Sequence, residues 1–201
     1  MTLEEFPYHD KQLVAIVSGG VDSALLLYYL LMSKRKVNVY TTASEKTLYK
    51  NAVTAANVVR KCMEITNNYQ VNHVISYQPN GSIEWVFKPL VPLLNNNLYD
   101  SVYTGITANP PEGTIPFKSG QENERDPTVT KDIKPNPYVI QPFINYDKKW
   151  IFEMYKKYNL IETLFPVTRS CEHQADQPND PGFGHCGKCW WCKEREWAFS
   201  V

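Results

Sequence analysis

The sequence predicts a three-layer α/β sandwich with a mostly parallel sheet and a C-terminal metal-bound segment, and three observations carry that reading. Short apolar or β-branched runs alternate with longer stretches of helical spacing in the first half of the chain. That order calls for parallel strands joined by right-handed crossovers. The string SGGVDS at residues 18–23 stands between the first apolar run and the next. The string HCGKCWWC at residues 185–192 places three cysteines at two-residue gaps. With 201 residues and 43% hydrophobic content, the chain can bury a full core as one domain with a small appendage.

Taken in order, Leu13 to Val17 reads as the first strand and Ala24 to Met32 as a buried helix. Val37 to Thr42 reads as a second strand. Leu48, Ala52, Ala55, Ala56 and Val59 then recur at helical spacing on one face. Asn72 to Tyr77 is a third strand, and a helix follows from Glu84 to about Leu94, kinked or broken at Pro89 and Pro92. Ser101 to Ile106 is the fourth strand. From Thr107 to Tyr138 the pattern dissolves into a proline-rich stretch, which is either a loop over a substrate or disorder. Asp147 is a plausible N-cap for a helix that places Ile151, Met154, Tyr155 and Tyr158 on one side. In such sheets ligands bind beyond the carboxyl ends of the strands, where SGGVDS falls. The expected division is 1–165 for the α/β domain, with its loop at 107–138, and 166–201 for the cysteine-bearing segment.

Charge narrows the partners. With 21 basic and 21 acidic residues, no global field draws the chain to nucleic acid or to a membrane surface. Neither is expected as a partner. Lys34-Arg35-Lys36 reads as solvated charge at a helix end. The most apolar stretch is far shorter than the roughly 20 residues that span a bilayer. The opening MTLEEFPYHDK leads into no secretory apolar region, so a cytoplasmic location is expected. Cysteines in a reducing compartment favour metal binding over disulfides. Cys62 lies apart from the others, in a helix, and reads as a small buried apolar residue.

Ser18, Gly19 and Gly20 allow a backbone to approach phosphate oxygens closely, and the helix that follows, with Ser23 in its first turn, would aim its N–H groups at the same point. Ser23 can add a hydroxyl. Asp22 would repel an anion unless a cation intervenes, so it reads as a magnesium-linked or loop-bracing residue. Cys171 can join Cys186, Cys189 and Cys192 in a four-thiolate shell, which leaves no open position and suits structural zinc. An iron–sulfur cluster is the competing reading. His173 and His185 are possible substitutes, though four cysteines already complete the shell.

SGGVDS resembles the pyrophosphate loop of the N-type ATP pyrophosphatases, the adenine nucleotide alpha-hydrolase-like superfamily. The resemblance implies ATP cleavage between the α and β phosphates and adenylation of an acceptor. The Walker pattern G-x-x-x-x-G-K-[ST] does not occur. TRSC at 168–171 and HCGKCWWCKER at 185–195 are similar to the C-terminus of the 7-cyano-7-deazaguanine synthases. Pro142 to Lys148 (PFINYDK) resembles that family's element before its late helix. By that resemblance Lys148 is a candidate to touch ATP phosphates or the adenylate. The bland alternative is a solvated lysine in a first helical turn. The middle departs from the family: Thr41 to Lys46 stands where a Tyr-Gly-Gln element is expected, and Pro79 to Ser82 is the nearest text to its Pro-Gly-Arg-Asn loop.

The resemblance therefore implies an ATP-dependent ligase that converts 7-carboxy-7-deazaguanine with ammonia to the amide and then the nitrile. It implies Asp22, Ser23 and Lys148 in catalysis, residues 18–23 (Val21 included) on the nucleotide, and a homodimer as one possibility. Alternatives are an amide-only ligase serving DNA modification, a tRNA-thiolating relative, and a non-catalytic nucleotide-binding zinc module.

Overall fold

The computed structural model describes residues 1–8, 12–44, 50–78, 90–96, 98–99, 101–115, 125–126, 128–134, 138–172 and 181–200. The elements are β1 (Leu13–Ile16), α1 (Val21–Met32), β2 (Val37–Ser44), α2 (Lys50–Thr66), β3 (Val71–Gln78), α3 (Val91–Asn95), β4 (Val102–Tyr103), β5 (Val139–Ile140), α4 (Lys148–Lys157) and α5 (Trp190–Phe199). A 3-10 turn at Phe165–Val167 precedes the segment carrying Cys171. The five strands are all parallel, in the order β3-β2-β1-β4-β5.

Strand alternation sorts the core into two layers. Leu13, Ala15, Val37, Val39, Tyr103 and Ile140 face one way, into a cluster with α1, α2, α4 and Phe199 of α5. Val14 and Val102 face the other way, against Leu90 and Leu94 around α3. Helix α1 is apolar nearly all round because it lies inside the first layer, with Leu25, Leu26, Leu27, Leu30 and Leu31 fully buried. On α2, Ala52, Ala55 and Val59 are buried as the spacing predicts. Ala56 is only half-buried, and Val58 and Cys62 complete the inward face. Asp147 caps α4: its Oδ1 accepts from the Trp150 N–H at 3.1 Å.

Several expectations change. The fourth strand is two residues rather than six. After Tyr103 the Thr104 N–H still bonds the Ile140 carbonyl, and then the chain turns against the first turn of α1 at Gly105. Strand β5 was not anticipated, because a two-residue strand behind a proline-rich stretch has no period to read. Nor was α5, whose buried face includes Glu194 and Arg195 and so hides an apolar stripe. Of the helix expected over 84–94, the part before Leu90 lies outside the described residues, as do Leu48 and His173. The stretch 107–138 is pinned where it is described. Lys131 N–H donates to Asn145 Oδ1 at 2.7 Å and Gln141 N–H to the Ile133 carbonyl at 2.7 Å, while residues 116–124, 127 and 135–137 lie outside the described residues. Among the described residues no helix is long and apolar enough to cross a membrane.

Candidate functional site

The strand order reverses between β1 and β4: β2 and β3 extend to one side, β4 and β5 to the other. A crevice opens at such a switch point, beyond the carboxyl ends of the two strands. The 18–23 loop follows β1 and the Thr104–Asn109 segment follows β4, so the two line opposite sides of it. Gly19 has φ +90°, and a Cβ there would come within 2.8 Å of the Thr54 side chain and 2.9 Å of the Ala55 nitrogen. Glycine is thus required both by the left-handed backbone and by the contact with α2. Gly105 is required by contact alone: a Cβ would lie 2.9 Å from the Asp22 carbonyl carbon and the Ser23 nitrogen.

Helix α1 starts at Gly20, and no side chain caps it. Its first-turn N–H groups and dipole therefore face the crevice. Ser18 and Ser23 hold the loop in shape. The Ser23 hydroxyl donates to the Gly20 carbonyl at 3.1 Å, and its oxygen accepts from the Ser18 N–H at 3.3 Å. The Tyr155 hydroxyl donates to the Val21 carbonyl at 2.9 Å, anchoring the helix start to α4. Burial raises the Tyr155 phenol well above its ordinary pKa, so it stays a donor.

Lys148 is not a solvated lysine. It is buried in the first turn of α4, with Nζ 2.9 Å from Asp22 Oδ2 and 2.7 Å from Glu194 Oε2. The second contact is an ion pair off hydrogen-bonding alignment. Desolvation alone would lower the Lys148 pKa, but Asp22 and Glu194 outweigh it together and the net shift is upward, so the ammonium stays charged. Glu194 is fully buried and also pairs with Arg125, Nη2 to Oε1 at 3.2 Å. Arg125 reaches in from the 107–138 stretch: its Nε donates to the Thr107 carbonyl at 2.8 Å, and its guanidinium lies 5.3 Å from the Trp190 ring centre. Among the described residues, Asp22 Oδ1 and Arg125 Nη1 are buried without a hydrogen-bond partner. One is an acceptor suited to a cation and the other a donor suited to an anion.

At the other end, the sulfurs of Cys171, Cys186, Cys189 and Cys192 all lie within 4.8 Å of one another. Cys186 and Cys192 are 3.9 Å apart, against about 3.8 Å for sulfurs around a tetrahedral zinc. The Lys188 and Cys189 N–H groups donate to the Cys186 sulfur at 3.4 and 3.3 Å, in a turn set by Gly187 at φ +66°. A hydrogen bond from Cys192 draws the Cys189 thiol down, and the same contact pushes the Cys192 thiol up, so the two share one proton between them. The four cysteines could therefore hold a metal such as zinc. His185 is outside the group and accepts from the Ser170 N–H at 3.4 Å. Cys62 is fully buried in the core, as expected, and its thiol is pushed up by burial.

The structure thus brings Asp22 and Lys148 together, and the four cysteines together. Glu194, Arg125, Arg169 and Gly105 escaped the sequence reading. Glu194 had one signal: Trp190, Glu194 and Ala198 fall at i, i+4 and i+8, all buried on one side of α5. Arg125, inside an aperiodic stretch, had none.

The parallel five-stranded sheet has helices on both faces and a glycine loop at the switch point, a fold of the adenine nucleotide alpha-hydrolase-like kind by its likeness to one solved structure. A solved 4-thiouridine synthetase, in complex with RNA and with ATP bound, shares it: the TM-score is 0.51 over 94% of this chain at 15% identity. The chain spans 53% of that protein's length. No protein-family model matches the chain. No curated protein matches it in sequence.

Proposed function

We propose that the protein is an ATP-dependent ligase of the pyrophosphate-loop kind, acting on a carboxylate of 7-carboxy-7-deazaguanine with ammonia as nitrogen donor. The observation that supports this most is the meeting of Asp22, from SGGVDS, with Lys148, from PFINYDK, beside the uncapped start of α1. The fold shared with an ATP-bound synthetase supports nucleotide use. The deazaguanine acceptor rests on the likeness of the TRSC, CGKCWWC and PFINYDK segments to the synthase family.

In this reading the loop N–H groups of residues 18–23 cradle the triphosphate, and Lys148 neutralises charge on it. An acceptor carboxylate oxygen attacks the α-phosphorus, the bond to the bridging oxygen breaks, and pyrophosphate leaves. Ammonia then adds to the acyl carbon of the adenylate, loses a proton, and expels AMP to leave the amide. A second adenylation on the amide oxygen, followed by loss of two N–H protons and AMP, yields the nitrile. Magnesium, held through Asp22 Oδ1, would supply further charge stabilisation on the phosphates. Zinc on the four cysteines has a closed shell and serves the fold rather than the reaction.

The thiolation alternative draws mild support from the 4-thiouridine synthetase likeness. A spare catalytic cysteine would help it, but Cys62, the one cysteine outside the cluster, is buried in the core with its thiol pushed up by burial. Mass spectrometry of products from ATP, ammonia and the deazaguanine acid, with a parallel tRNA reaction, tests the assignment. AMP, pyrophosphate and a deazaguanine amide or nitrile are expected. Formation of ADP, or product on tRNA only, would overturn it.

A further inference from the structure

We propose that Glu194 is a positioning residue that links metal occupancy at the four cysteines to nucleotide binding at the 18–23 loop. The inference rests on the nucleotide reading above and adds a coupling that a merely structural metal does not require.

The geometry is a relay. Cys189 is the N-cap of α5, and Cys192 lies in its first turn. A ten-residue helix is marginal by itself, so its start and rotation depend on what holds that turn. A metal bound by both cysteines would hold it. Glu194 follows in the next turn, fully buried, with a cation on each oxygen: Lys148 at 2.7 Å and Arg125 at 3.2 Å. Lys148 in turn meets Asp22 of the loop at 2.9 Å. The direction of α5 therefore decides where the Lys148 ammonium sits relative to the loop. Arg125 carries the same control into the segment that faces the loop across the crevice, through its bonds to Thr107.

A second path runs from the fourth cysteine. The Arg169 N–H donates to the Gly19 carbonyl at 2.9 Å, while its guanidinium donates to the Cys171 carbonyl at 2.6 Å and the Gly184 carbonyl at 3.2 Å. Both chain segments that supply the cysteines thus end on the nucleotide loop. A ligand that orders one site stabilises the arrangement the other needs, and the coupling must be reciprocal in binding affinity.

The test is an equilibrium competition for zinc against a chelator of known affinity, with and without a magnesium-bound α,β-methylene ATP analogue that cannot be cleaved. In the wild-type protein, saturating analogue should raise zinc affinity by about tenfold. In Glu194→Gln, checked for zinc uptake and for native circular dichroism, the ratio should fall below about twofold. Should that variant not fold, Glu194→Asp keeps the charge but shortens its reach, and it should lose more than half of the wild-type effect. An unchanged zinc affinity in wild type while the analogue binds, or an undiminished ratio in either variant, overturns the coupling alone. Failure of the analogue to raise the melting temperature of the zinc-loaded wild type overturns the nucleotide reading and this inference with it.

Discussion

Lys148 Nζ and Asp22 Oδ2 lie 2.9 Å apart although 126 positions separate them in the chain. The pair joins the first turn of α4 to the first turn of α1, and Glu194 shares the same ammonium. Removing that cation takes the ion-pair partner from Asp22 and leaves the fully buried Glu194 with Arg125 alone. Lys148→Ala should therefore cost about 3–5 kcal/mol of stability in urea denaturation. A loss below about 1 kcal/mol would mean water screens the cluster.

Asp22→Ala is expected to separate function from fold. Lys148 keeps Glu194 as partner in that variant, so circular dichroism should stay native. Loss of the proposed magnesium contact should cut pyrophosphate release by at least about 100-fold. Ordinary release from a folded Asp22→Ala protein would count against the loop assignment.

For the cysteine cluster, Cys189→Ser should lower zinc content and melting temperature together. The expected shift is about 2–4 °C for each kcal/mol of metal-linked stability lost. Unchanged zinc stoichiometry by atomic absorption would refute the four-cysteine site.

Gly105 offers a steric test that leaves every charge in place. A methyl group there meets backbone atoms of Asp22 and Ser23 at 2.9 Å, and backbone cannot swing aside as a long side chain can. Gly105→Ala should cost about 1–3 kcal/mol and shift the start of α1. A rise in the KM for ATP should accompany it. An alanine variant with native stability and KM would show that the crevice wall yields.

His73 supplies a pH dependence. Its ring lies 2.8 Å from Thr41 Oγ1 and is half-buried, and desolvation lowers its pKa from the ordinary 6.5. The unfolded chain then binds a proton more readily than the folded one. This contribution is complete above about pH 6.5 and declines as pH falls toward the depressed folded value. Urea midpoints measured between pH 7.5 and pH 5 should fall for wild type, and less steeply for His73→Gln. Equal slopes would place the pH dependence on other groups.

The alternation of strands and helices was legible wherever an element ran long enough to show its period. Helix α1 declared itself by unbroken apolar content, α2 by its alanine face, and α4 by Asp147 and the spacing of Ile151 and Tyr155. The cysteine spacing likewise announced a cluster that the fold brings within 4.8 Å. Elements that escaped notice were those whose pattern is short or mixed. Strand β5 has two residues, and α5 buries Glu194 and Arg195 beside Trp190 and Phe199.

The sequence by itself therefore determined the α/β class, the glycine loop after β1 and the four-cysteine set, since each is written within a few neighbouring residues. Backbone preference, turn chemistry and ligand spacing act over that range. Only the tertiary structure decided that Lys148 is buried rather than solvated, and that Glu194 and Arg125 join it beside Asp22. Those contacts arise between segments far apart in the chain. They form because α4 packs on α1 and α5 on α4, which buries Lys148 and Glu194 and leaves them Asp22, Arg125 and each other as partners.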